Sequence, residues 1–178
     1  MNAYRLTVNS KAGVLSMVHL LNGSMRTAKI YSLARLIDWV NQEQGAAKPA
    51  ANIEKRPINK EPIEATSWLS GFIEADGCFY VRATESTLQR KFARGPKAGP
   101  KAGPEAAECS FELVQAQETF LGHSTKECLD EIAKLLQATV KEIGKKGQYR
   151  VRTANLESNL RASAYIKEFP LFGKKHLD

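Results

Sequence analysis

Long apolar runs are missing from this 178-residue chain, and no stretch approaches the roughly 18 residues a bilayer-spanning helix needs. A membrane-spanning helix is therefore excluded, and no membrane partner is expected. The opening Met1-Asn2-Ala3-Tyr4-Arg5 lacks the apolar core of a secretory signal. Cysteine is scarce: Cys78, Cys109 and Cys128 are odd in number and form no CxxC pair, which argues against a disulfide scaffold or zinc ribbon and fits a reducing compartment. The three histidines, His19, His123 and His176, have no metal-binding spacing. What is present is apolar content of 43%, enough for a core, and an excess of base, 26 Lys+Arg against 19 Asp+Glu.

That excess is segregated. Arg82, Arg90, Lys91, Arg94, Lys97 and Lys101 share their stretch with a single acid, Glu85, and the chain from Lys141 onward is again basic. The intervening Ala102–Val140 is acidic. Clustered positive charge points to a polyanion, most simply nucleic acid, bound through phosphate neutralisation and counterion release. Charge alone is equally compatible with a merely basic, well-solvated surface.

Three blocks follow from composition and periodicity. Residues 1–48 begin with an alternating strand, Tyr4 to Asn9, continue through an apolar helix over Val14–Leu21, break at Asn22-Gly23, and resume as an amphipathic helix over Ile30–Asn41. Residues 49–66 are rich in Ala, Pro, Lys and Glu without periodicity and read as a linker. Residues 67–178 form the third block, interrupted at about 88–107 by a basic Gly/Pro loop in which Lys-Ala-Gly-Pro occurs twice in succession. Tyr4–Asn9 also resembles Tyr149–Asn155. Each is followed by a short helix and then a lysine, Lys29 or Lys175, about 145 residues apart. The chain reads as two repeats, one without its front and one cut at its end.

The most informative stretch runs from Trp68 to Phe79. Thr66 and Ser67 are N-cap residues and Gly77 suits a left-handed C′ position, so a helix of about ten residues is bounded at both ends. Leu69, Phe72 and Ile73 face a core, while Gly71 and Ala75 make a small-residue stripe that another backbone can approach. Asp76 falls in the last turn, where the helix dipole disfavours a carboxylate by about 0.3–1 kcal/mol. Two readings account for it: a hard divalent cation at the helix end, or a solvated Asx turn before Gly77. Farther on, strand alternation sets Tyr80, Arg82 and Thr84 opposite Phe79 and Val81, and Gln148, Arg150 and Arg152 opposite Tyr149 and Val151.

Leu69-Ser70-Gly71-Phe72-Ile73-Glu74-Ala75-Asp76-Gly77 resembles the signature of the LAGLIDADG homing endonucleases, in the style of organellar intron-encoded members. Phe111–Gln115 resembles the family's second strand. Tyr149–Thr153, with Asn159, Tyr165 and Phe169–Lys175, resembles its closing strand, helix and lysine turn. Asn22–Lys29 resembles the matching end of a preceding repeat.

The resemblance implies an α+β fold: an αββαββα unit with a saddle-shaped antiparallel sheet, preceded by the end of another such repeat. It implies a site-specific endonuclease that hydrolyses phosphodiesters in double-stranded DNA with Mg2+ (magnesium). Asp76 would bind the metal, Gln115 would orient solvent and Lys175 would lie near the scissile phosphate. DNA contacts would come from Tyr80, Arg82, Thr84, Gln148, Arg150 and Arg152, and from Arg5 and Lys29 in the first repeat. Gly71 and Ala75 would form the interface between two signature helices. Glu74 is expected to be structural. Since this chain holds one signature helix, the other is expected from a homodimer or from a missing N-terminal half. The alternatives are an intron RNA maturase and a non-catalytic remnant. A mitochondrial or other organellar location follows from the resemblance alone.

Overall fold

The computed structural model describes residues 6–45, 52–84, 106–144 and 147–177. They fall into two compact units, Met1–Pro62 with Ala116–Cys128, and Ile63–Gln115 with Leu129–Asp178.

The first unit is built on a helical hairpin, α1 (Lys11–Leu21) and α2 (Ile30–Gly45). Ser10 opens α1 as its N-cap, the hydroxyl accepting from Gly13 N at 3.2 Å. The turn after α1 passes through Gly23 at φ +97°, a left-handed conformation that favours glycine. Val18 of α1 closes on Leu33, Ile37 and Val40 of α2, with Val14, Leu15, Leu21 and Leu36 around them. The apolar helix expected over Val14–Leu21 is present but mostly uncovered, since Val18 is its one buried residue. The strand expected over Tyr4–Asn9 does not form across residues 6–9: no strand pairs with it among the described residues, and Leu6 is 92% exposed. A lone strand has nowhere to send its backbone hydrogen bonds.

Residues 52–62 contain no α-helix or strand, yet they are held. Asn41 donates to Ile53 O at 3.1 Å and accepts from Ile53 N at 2.9 Å. Asn22 donates to Glu54 O at 2.7 Å and accepts from Arg56 N at 2.9 Å. Two side-chain amides thus replace the ladder that a neighbouring strand would offer, and Ile53 joins the hairpin core.

The second unit contains α3 (Trp68–Asp76), β1 (Gly77–Thr84) and β2 (Ala106–Ala116). These are followed by α4 (Lys126–Leu135), which begins in the first unit, then β3 (Thr139–Ile143), β4 (Gln148–Arg152) and α5 (Leu156–Glu168). The order is helix–strand–strand–helix–strand–strand–helix. The strands form one four-stranded antiparallel open sheet in the order β1-β2-β4-β3. Leu69, Ile73, Phe111, Leu113, Val151 and Thr153 are all nearly inaccessible and mark its core. Thr153 N donates to Phe111 O at 3.0 Å, and Phe111 N donates to Thr153 Oγ1 at 2.8 Å, so a buried hydroxyl completes the central ladder. Asn155 opens α5 in a capping box with Ser158. Apart from Ala106 and Ala107, which enter β2, the Gly/Pro loop at about 88–107 lies outside the described residues.

Candidate active site and nucleic-acid face

Helix α3 has two unlike sides. Leu69, Ser70 and Ile73 are buried, whereas Trp68, Gly71, Phe72 and Ala75 lie on a more open side, where Trp68 and Phe72 rings meet at 4.9 Å. Phe72 is thus half-buried rather than a core residue. A Cβ on Gly71 would meet nothing within 4 Å, so the small-residue stripe is open in this chain.

The helix ends are fastened from a distance. Ser67 makes no side-chain capping bond, in contrast to the sequence expectation. The free Leu69 N–H donates instead to Tyr165 Oη at 3.1 Å, and that hydroxyl donates to Thr66 O at 2.5 Å. At the other end, Gly77 is extended, φ −74° and ψ 156°, and not left-handed. Space, not chirality, calls for glycine there: a Cβ would come within 2.8 Å of Ile73 O and 2.9 Å of the Phe111 ring.

Asp76 ends α3 with its carboxylate exposed. Gln115 Nε2 donates to Asp76 Oδ2 at 2.9 Å. Period two explains the reach, because Gln115 shares its side of β2 with Phe111 and Leu113, and Leu113 pairs with Gly77. Lys175 Nζ donates to Ile73 O at 3.0 Å and Glu74 O at 2.8 Å. An ammonium on the last carbonyls offsets the helix dipole that opposes Asp76. Glu74 takes the Gly173 N–H on Oε1 at 2.6 Å, fixing the turn that delivers Lys175. The structure therefore brings Asp76, Gln115 and Lys175 to one helix end. Lys29 belongs to the first unit, where its side chain is exposed.

The donor set suits a hard divalent cation in part. An exposed carboxylate is a suitable ligand, but six-coordinate magnesium needs more oxygens than Asp76 offers. Among the described residues no group of three or more His, Cys, Asp or Glu could complete it.

The sheet side away from α3 carries the predicted contact residues. Tyr80, Arg82, Arg150 and Arg152 line one shallow pocket of ≈ 340 Å³ there, together with Glu108, Ser110 and Glu112. Gln148 lies at the end of β4, paired with Ile143. Thr84 is placed by its backbone alone, opposite Ala106, and Arg5 lies outside the described residues. Lys141, paired with Arg150, adds a base that the sequence reading did not count among the contact residues. Nor did it count three residues of β2. Glu112 meets Arg150 at 3.4 Å and Glu108 meets Arg152 at 3.2 Å, so the face is less positive than its arginines suggest. Alternation from Glu108 through Ser110 to Glu112 was the available signal. The Tyr80 phenol is pushed above its ordinary pKa, chiefly by hydrogen bonding and charge from Cys78 and then by Glu112.

An acid-ended helix over an antiparallel sheet with an arginine-bearing open side is the pattern expected of this nuclease class, and residues 69–178 match the LAGLIDADG endonuclease family. The chain belongs to that family. It is 25% identical over 190 aligned residues to the intron-encoded DNA endonuclease aI3 of Saccharomyces cerevisiae, an alignment covering 97% of this chain and 45% of that protein. The chain thus spans less than half the length of this curated relative. Similar solved structures include the meganuclease I-SmaMI bound to uncleavable DNA (14% identity, 94% of this chain, 53% of that chain, TM-score 0.49). Another is the meganuclease I-AabMI bound to uncleaved DNA (19%, 62%, 32%, 0.45).

Proposed function

We propose that this chain is the DNA-binding, acid-bearing part of a homing-type endonuclease that hydrolyses phosphodiesters in double-stranded DNA. The observation that carries this reading is the convergence of Asp76, Gln115 and Lys175 at the end of α3. Asp76 would supply one carboxylate to a magnesium ion, and a second acid would come from another signature helix packed on the open Gly71 and Ala75 side. When bound, such an ion activates water and offsets charge developing on the phosphate. Gln115, which donates to the Asp76 carboxylate, would orient solvent beside it. Lys175, which holds the helix end, would supply positive charge to an incoming phosphate. Arg82, Arg150 and Arg152, with Tyr80 and Lys141, would meet the duplex, and Lys29 would do so from the first repeat. A mitochondrial setting accompanies this reading, through likeness to intron-encoded members.

The test measures duplex binding and nicking on organellar intron-insertion DNA with Mg2+, for wild type and Asp76→Asn, in the assembly that supplies the second helix. Binding should fall steeply with salt in both proteins. Nicking should drop at least about 100-fold in the variant if the metal ligand is lost. Undiminished nicking by Asp76→Asn would remove the metal role. Intron RNA bound in preference to duplex DNA, with splicing that tolerates Asp76→Asn, would favour the maturase.

A further inference from the structure

The pocket on the sheet side is built unlike a phosphate site. Glu112 lines it with its side chain 15% exposed, and Arg150, 31% exposed, meets Oε2 at 3.4 Å. Ser110 lines the same pocket, is 94% buried by its 6% exposure, and has an Oγ with no hydrogen-bond partner among the described residues. A phosphate would be repelled by the Glu112 carboxylate. A neutral edge presenting both a donor and acceptors would be welcomed by a carboxylate beside a guanidinium. In the major groove, cytosine N4 offers such a donor, and guanine O6 and N7 offer two acceptors side by side.

Building on the DNA-binding reading above, we infer that Glu112 and Arg150 form a subsite that reads one C·G base pair. Glu112 accepts from the cytosine amino group and Arg150 donates to guanine. Glu112 is then a specificity-determining residue that weakens general affinity while sharpening choice.

The experiment selects bound duplexes from a randomised DNA library with the full chain, then measures affinities for single-position changes at fixed salt. Wild type should prefer C·G at one position by roughly tenfold. Glu112→Gln, whose amide also donates, should reduce that preference below about twofold and raise affinity for random duplex at low salt. Arg150→Lys should lose the same preference with its salt dependence kept, because the charge remains and the fork is gone. Should Glu112→Gln fail to fold by circular dichroism, Arg150→Lys carries the test. Preferences unchanged in Glu112→Gln or in Arg150→Lys would overturn the subsite and leave the DNA reading intact. Wild type that binds no duplex would remove the DNA reading and the subsite with it.

Discussion

Helices α1 and α5 are related by the offset of about 145 residues seen in the sequence, and the correspondence extends to their caps, Ser10 and Asn155. They bury opposite sides. In α5 the covered residues are Ser158, Ala162 and Tyr165, whose counterparts in α1 are Gly13, Met17 and Leu20. Of these, Met17 is 37% and Leu20 68% exposed. In α1 the packed residues are Val14, Val18 and Leu21, and their α5 counterparts, Asn159, Ser163 and Ile166, line a cleft of ≈ 490 Å³. The same local unit is thus completed by an acid-bearing helix in one place and by the following helix in the other. Lys175 grips the carbonyls of α3, while Lys29 in the matching position is exposed. The local motif specifies a capped helix and a lysine. The neighbours decide which side becomes core.

The largest contrast is expected at the Tyr165 and Leu20 pair. Tyr165→Ala removes a ring packed on Phe169 at 5.2 Å and the hydroxyl that holds Leu69 N, and should cost about 3–5 kcal/mol. Leu20→Ala should stay within about 0.5 kcal/mol, since its side chain is mostly in solvent. Denaturant midpoints of the two variants measure the difference, and equal losses would end the comparison.

The two glycines of the signature segment come next. Gly77→Ala forces a Cβ against Ile73 O and Phe111 and should cost about 1–3 kcal/mol. Gly71→Ala meets open space and should stabilise α3 by up to about 1 kcal/mol through helix propensity. In an active assembly the same Gly71→Ala should impair cleavage if another helix backbone packs there. Thermal melts of this chain and activity of the assembly read the two effects separately.

The lysines sharpen the contrast at lower energy. Lys175→Met leaves two carbonyls of α3 without their cation and should destabilise by about 1–2 kcal/mol. Lys29→Met should leave the melting temperature unchanged and reduce the salt slope of duplex binding by roughly one. The smallest pair concerns the caps. Asn155→Ala and Ser10→Ala should each cost about 0.5–2 kcal/mol, with the larger loss at Asn155 because its capping box is doubled. A larger loss at Ser10 in urea melts would contradict that order.

Much of the site was legible because it rests on local pattern. Acid-Gly at a helix end, alternating Arg in β4 and a lysine after a capped helix are all readable within a few residues. The β2 acids could have been read too, since Glu108, Ser110 and Glu112 repeat every second residue into the segment Phe111–Gln115 taken as a strand. Other features had no local signal. The hold of Lys175 on Ile73 spans 102 positions, and the Tyr165 bond to Leu69 spans 96. The side-chain amides of Asn22 and Asn41 that tie down residues 52–62 look from composition like ordinary turn and helix-end polars.

By itself the sequence determined the helices over Val14–Leu21, Ile30–Asn41 and Trp68–Asp76, the strands after Gly77 and around Tyr149, and the family, because each depends on residue type at short spacing. Only the tertiary structure decided that Gly77 is required by a close approach and not by a left-handed turn, and that Tyr165 replaces the cap Ser67 does not provide. It also decided that arginines on β4 are paired by acids on β2. Bonds between distant segments depend on which surfaces meet when the chain collapses, and residue spacing along one segment does not carry that information.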